Sequence, residues 1–189
     1  MRRLSHAIAE GEAISLLVEV DGADAARLAE AQGAEGLVLR ARVDDVRAAT
    51  RLPIVLYGGE PHESADAIVV DAGSVDVDSL ARLVGRAGER GLECVLKVSD
   101  EDELERVLER LDPEILLLSA EDAEDGEPHL DRVLDLLPDV PAGKLAIAEL
   151  LRASRDEVAE LARAGVDAVL IGAGAGDLRR LVDEPPADL

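Results

Sequence analysis

A chain of 189 residues with no break in composition is long enough for one domain, residues 1–189, with a substantial core. Its 42 acidic and 20 basic residues give a formal charge of −22, which argues against nucleic acid and anionic membranes as partners, and with Tyr57 the only aromatic there is no platform for stacked bases. No apolar run approaches the roughly 20 residues of a membrane-spanning helix, the N-terminus lacks an apolar signal core, and the lone Cys94 cannot form an internal disulfide, so a cytoplasmic protein with a buried, inert thiol is expected.

The first apolar run, residues 14–20 (ISLLVEV), reads as a strand, and Asp21 is placed to cap a helix through Ala31 that Gln32-Gly33 ends. Residues 36–40 (GLVLR) form a second strand, followed by a helix from Val43 to about Thr50, and 54–57 (IVLY) a third. The segment 58–66 (GGEPHESAD) has no helical period and carries Gly-Gly and Pro, so a loop stands where the alternation calls for helix 3. A fourth strand, 67–71 (AIVVD), leads to a long amphipathic helix over 75–90 closed by Gly91.

Strand five is 92–98 (LECVLKV), and the helix over 99–111 has an acidic first turn that suits the positive end of its dipole. Strand six is 114–118 (EILLL); the irregular stretch 119–128 then precedes a helix from His129 to Leu137. The clearest unit runs from Lys144 to Gly176. Strand seven, 144–149, is followed by a helix opened by the Ser154/Glu157 capping box and closed by Gly165, then by strand eight, 166–171, an unbroken apolar run suited to a parallel strand covered on both faces. A short last helix is expected over Gly176–Val182.

Eight strands alternating with seven helices and one loop form the pattern of an α/β (β/α)8 TIM barrel, here a minimal one with short loops and helix 3 replaced by a loop. An open doubly wound sheet would run its first strand into a glycine-rich phosphate loop, and DGADAA is not one.

Within this frame, LPIVL (52–56), ADAIVV (65–70), GLECVLKVSDEDELERVL (91–108) and AIAELLRASRDEVAELARAGVDAVLIG (146–172) resemble indole-3-glycerol-phosphate synthase, the barrel enzyme that closes the indole ring in tryptophan biosynthesis. The resemblance covers about residues 10–182. It implies a mouth that holds a phosphorylated, ring-opened sugar attached to an aromatic amine, and a decarboxylative ring closure carried out by two lysines and a glutamate. The matching positions depart from that pattern. Tyr57 stands where the family's third strand ends in a lysine, Glu19 and Asp21 face a first strand without lysine, and Lys97 replaces the fifth-strand glutamate. Ser119 and Ala120 replace two asparagines, and Leu150-Leu151 a phosphate-binding Ser-Gly, so that only Glu149 is kept. With Lys97 and Lys144 the only lysines, a shifted register cannot supply the missing pair.

Strand alternation places Glu19, Lys97 and Glu149 on inward faces near the carboxyl ends of strands one, five and seven, where barrel enzymes carry out their chemistry. Either a desolvated Lys97 acts as amine nucleophile or general acid, or the three form a buried ionic cluster that holds the mouth together, since unpaired burial costs several kcal/mol. Gly172, Gly174 and Gly176 either offer backbone N–H groups to the phosphate of a small molecule or serve only a tight turn. His62 and His129 follow strands and have Glu60, Glu63, Glu127 and Asp131 nearby, without metal-ligand spacing; no metal and no cofactor is expected. The acidic run 121–127 reads as a solvated loop.

Three functions stay open at this level. They are a synthase-like barrel without synthase activity that keeps at most a weak phosphate or small-anion site at its C-terminal rim, an active lyase or isomerase on a sugar phosphate using Lys97 and Glu149, and a scaffold with no ligand. The missing helix is expected to bare an apolar flank on strands three and four that suits a dimer contact, so the chain is expected as monomer or homodimer. Abundant acids with few lysines suit a salt-adapted cytoplasm in which counterions screen self-repulsion, while GC-rich codon usage or an artificial sequence accounts for the same composition. The salt reading predicts a melting temperature that climbs strongly between low and molar KCl; a flat response removes it.

Overall fold

In the computed structural model, which describes residues 3–11, 13–41, 45–58, 62–120, 129–174 and 176–182, eight parallel strands close into a barrel in chain order. They are β1 (Ser15–Glu19), β2 (Gly36–Leu39), β3 (Ile54–Tyr57), β4 (Ala67–Asp71), β5 (Glu93–Val98), β6 (Ile115–Ser119), β7 (Leu145–Leu150) and β8 (Ala168–Ile171). The ring closes where β1 pairs with β8, Leu17 lying opposite Leu170. Around it lie α1 (Leu4–Ala9), α2 (Ala23–Ala31), α3 (Val46–Ala49), α4 (Val77–Glu89), α5 (Glu101–Arg110), α6 (His129–Leu136) and α7 (Arg155–Ala164).

The barrel follows from a period of two along every strand. Leu17, Val38, Val55, Val69, Val95, Leu117, Ile147 and Leu170, one from each strand, fill the lumen in two interleaved tiers from alternate strands, together with Ala67, Ile115 and Ala168. Their sequence neighbours, such as Leu16, Val18, Leu37, Leu96, Leu116, Leu118, Val169 and Ile171, point outward into a second cluster beneath the helices. Each such side chain contributes about 1.5–3 kcal/mol when taken from water.

Helix α1 seals the amino-terminal end of the lumen, placing Leu4 and Ile8 against the inner layer. Its free N–H groups at Leu4 and Ser5, and the Ser5 hydroxyl, donate to the carboxylate of Glu93, the first residue of β5. A buried carboxylate and the orphan donors of a helix start thus satisfy each other. The sequence reading assigned no element here, because six residues are too few for a helical period to stand out.

The α7 capping box forms as read: the Ser154 N–H donates to Glu157 Oε2 at 2.7 Å and the Glu157 N–H to Ser154 Oγ at 3.3 Å, with Gly165 left-handed at φ +98. Helix α2, by contrast, is capped by extended Gly22, not by Asp21. The expected last helix is a three-residue 3-10 turn, Leu178–Arg180, whose preceding Asp177 side chain accepts from the Arg179 N–H. Glu60, the run 121–127 and the tail 184–189 lie outside the described residues.

Between β3 and β4 the described residues contain no helix, as the Gly-Gly and Pro of that segment imply. The apolar flank expected there is nevertheless closed. Outward-facing Ile54, Leu56, Ile68 and Val70 are all buried, in one cluster with Val46, Ala65 and Leu80. Arg47 fastens this side: Nη1 meets Asp66 Oδ2 at 2.7 Å, and Nη2 donates to the carbonyls of Thr50 and Leu52 at 2.9 Å each. Cys94 on β5 is half-buried, and burial pushes its thiol up to about 12, which leaves almost no thiolate at neutral pH.

The α1 plug makes a stability prediction. Leu4→Ala, by emptying a fully buried position, should cost about 2–5 kcal/mol in urea unfolding. A loss well below about 1 kcal/mol would mean that α1 frays before the barrel unfolds.

Candidate functional site

Two residues above the aliphatic layer, toward the carboxyl ends of the strands, the same inward parity gives a second ring of different character. It consists of Glu19, Arg40, Tyr57, Asp71, Lys97, Ser119, Glu149 and, after β8, Gly172. Aliphatic packing therefore ends abruptly, and the mouth is lined by three carboxylates and two cations. Buried charges at such a boundary require partners.

The centre of the ring is Glu149, which is fully buried. Its Oε1 accepts from Arg40 Nη2 at 2.9 Å and its Oε2 from the Tyr57 hydroxyl at 3.1 Å. Arg40 also reaches Glu19, Nε to Oε2 at 2.9 Å, and its guanidinium carbon lies 4.2 Å from the centre of the Tyr57 ring. One guanidinium thus bridges carboxylates from β1 and β7 while stacking on a side chain from β3, the planar fork geometry that lysine cannot supply. Lys97, also buried, pairs with Asp71 on the neighbouring β4 at 3.7 Å, with its ammonium 6.0 Å from the same ring centre.

These contacts determine the acid strength of Tyr57. Burial and the adjacent Glu149 carboxylate push the phenol up to about 12, and the hydrogen bond to Glu149 adds to this; Lys97 and Arg40 pull the other way. At neutral pH the phenol keeps its proton and points it at Glu149.

The sequence reading placed Glu19, Lys97 and Glu149 at the mouth, and all three are there. It passed over Arg40, whose parity with Val38 was the available signal, and did not pair Lys97 with Asp71. Beside the ring, a cleft of 690 Å³ opens between the ends of β1, β2, β7 and β8, lined by Glu19, Arg40, Leu151, Arg152, Ala153, Gly172, Ala173 and Gly174. Arg152, in the loop after β7, is a second basic group that the sequence reading did not bring to this place.

The three rim glycines have separate reasons to be glycine. The Gly172 N–H already donates to the Leu151 carbonyl at 3.1 Å, and a Cβ there would meet that oxygen at 2.7 Å. Gly174 and Gly176 have φ of +79 and +82, which other residues rarely adopt. Gly172 and Gly174 line the cleft, whereas Gly176 lines an adjoining groove. His62 turns back on its own loop, with Nδ1 2.8 Å from Ser64 Oγ. Among the described residues no group of three or more His, Cys, Asp or Glu is arranged to hold a metal.

Two measurements probe the ring. Because Tyr57 is the only tyrosine and there is no tryptophan, phenolate absorbance reports this residue alone. Folded protein should show almost no phenolate at pH 10, and a midpoint near 10 would contradict the geometry. The phenol is raised in the folded state, so its contribution to stability is complete below about pH 10 and is lost as pH rises toward about 12. Arg40→Met, which strands the Glu149 carboxylate, should cost about 3 kcal/mol, the low end of the usual range because the arginine is partly exposed. Combined with Glu149→Gln, the loss should be clearly smaller than the sum of the two single losses.

The profile of the indole-3-glycerol phosphate synthase family matches residues 62–178. The chain is 31% identical over 108 residues to the indole-3-glycerol phosphate synthase of Shouchella clausii (strain KSM-K16), covering 57% of this chain and 42% of that one. It is 28% identical over 142 residues to that of Geobacillus sp. (strain WCH70), covering 70% and 55%. It thus spans about half the length of these curated relatives. The fold also superposes on an N-acetylmannosamine-6-phosphate 2-epimerase from Clostridium perfringens, with a TM-score of 0.68 and 14% identity over 88% of this chain and 90% of that one, a likeness of fold alone. Since the family match extends over more than half of the sequence, the chain belongs to the indole-3-glycerol phosphate synthase family.

Proposed function

We propose that this barrel does not perform indole ring closure and instead binds a phosphorylated small molecule in the cleft between β1, β2, β7 and β8. The observation that carries the first half is the state of Glu149. Both of its oxygens are occupied, by Arg40 and by Tyr57, so the carboxylate is held as a structural acceptor and not as a base open to substrate. Tyr57, at the position where the family resemblance calls for a proton-donating lysine, is too weak an acid for that task with its phenol near 12. Lys97 is paired with Asp71, which favours a structural role over that of an amine nucleophile.

The second half rests on the cleft itself. Its 690 Å³ is within the usual range for small-ligand sites, and it is lined by Arg152 and by Arg40, whose charge is shared with Glu19 and Glu149, in a chain that is otherwise strongly acidic. An anion drawn to this molecule finds its attraction there and not at the helix after β8, which is a single 3-10 turn preceded by Asp177.

Purified protein incubated with the family's N-aryl sugar phosphate precursor should release no indole-3-glycerol phosphate above the blank; product formation would overturn the first half. Inorganic phosphate at about ten times its Kd should raise the melting temperature by about 3–6 °C over chloride of equal ionic strength. Arg152→Ala should flatten that rise, and an unchanged response would overturn the second half.

A further inference from the structure

Among the described residues, the large hydrophobic side chains left exposed are Leu28, at 58%, and Leu151, at 40%. Each borders a cavity. Leu151 lines the cleft just described, and Leu28 lines a groove of 400 Å³ between α2 and the turn after β8, together with Ala25 and Leu178. The two cavities share Glu19, Ala173 and Gly174, so they form one depression with a cationic end and an aliphatic end.

We propose that the occupant of this depression is an alkyl phosphate, with its phosphate monoester between Arg40 and Arg152 and its hydrocarbon chain lying across Ala173–Gly174 and along Leu28. The assignment rests on the anion-binding reading of the cleft and adds the chemistry of the rest of the ligand. Of the three residues common to both cavities, Gly174 has no side chain and Ala173 only a methyl group, while Glu19 is held by Arg40. Val18, Ala25, Leu28 and Leu178 give the groove methyl and methylene groups, and no aromatic side chain lines it, which favours an aliphatic tail. Three polar side chains also line the groove: Gln32, whose Oε1 accepts from the Leu178 N–H at 3.4 Å, Glu19, which is tied to Arg40, and Asp21.

The test measures Kd by calorimetry for inorganic phosphate and for ethyl, butyl and hexyl phosphate, with the intact chain and with Leu28→Gln, a change on an exposed helix position that leaves the fold in place. Affinity should rise about fourfold for each methylene buried. Leu28→Gln should flatten this dependence while leaving the Kd for inorganic phosphate unchanged, and Arg152→Ala should weaken all four ligands together. A Kd independent of chain length, with inorganic phosphate still bound, overturns the alkyl assignment alone. A dependence that survives Leu28→Gln also overturns it, by placing the tail elsewhere. Failure of inorganic phosphate to bind removes the anion cleft and the alkyl assignment with it.

Discussion

Glu149 sits inside a closed barrel with no surface exposed to water, and a carboxylate in that position must be matched by donors or neutralised. The donors come from β3 and from the residue that follows β2, on the other side of the mouth from β7. This requirement explains why Arg40 extends across the ring and why Tyr57 stands where the family resemblance calls for a lysine; the same guanidinium also serves Glu19. Replacing the mouth by well-packed aliphatic residues would remove the need for any of these contacts. The polar ring therefore contributes a defined arrangement more than it contributes stability.

The family match and the closed parallel barrel make the lineage plain, yet the groups at the working rim satisfy one another. A fold carries many chemistries because the residues at its strand ends can change while the layer beneath them persists. Here the aliphatics from Leu17 to Leu170 lie beneath, and the polar groups begin two residues above them. To one side of the ring, where Gly172 contributes no side chain, a cleft opens toward Arg152.

Most of the fold was legible because it depends on local periodicity. Alternating or continuous apolar runs of four to seven residues marked all eight strands, and the Ser154/Glu157 box with Gly165 bracketed α7 within a residue. Failures came where a short element takes its stability from a distant partner. Helix α1 depends on Glu93, nearly ninety residues away in sequence, and the flank beside β3 is closed by Arg47 and by Val46, Ala65 and Leu80, not by the helix that the pattern lacks. The expectation of an open apolar face came from counting helices, which says nothing about what else can cover a sheet.

The sequence by itself determined which side chains face the lumen, since parity along a strand is a property of the chain alone, and Glu19, Lys97 and Glu149 were placed at the mouth on that ground. Which of them meet was decided only by barrel closure, because the stagger between strands and the reach of each side chain set those distances. Closure paired Lys97 with Asp71, put Arg40 between Glu19 and Glu149, and brought Arg152 beside Gly172 from a different loop. Charge pairing across a ring is a three-dimensional property, and no spacing in a linear chain encodes it.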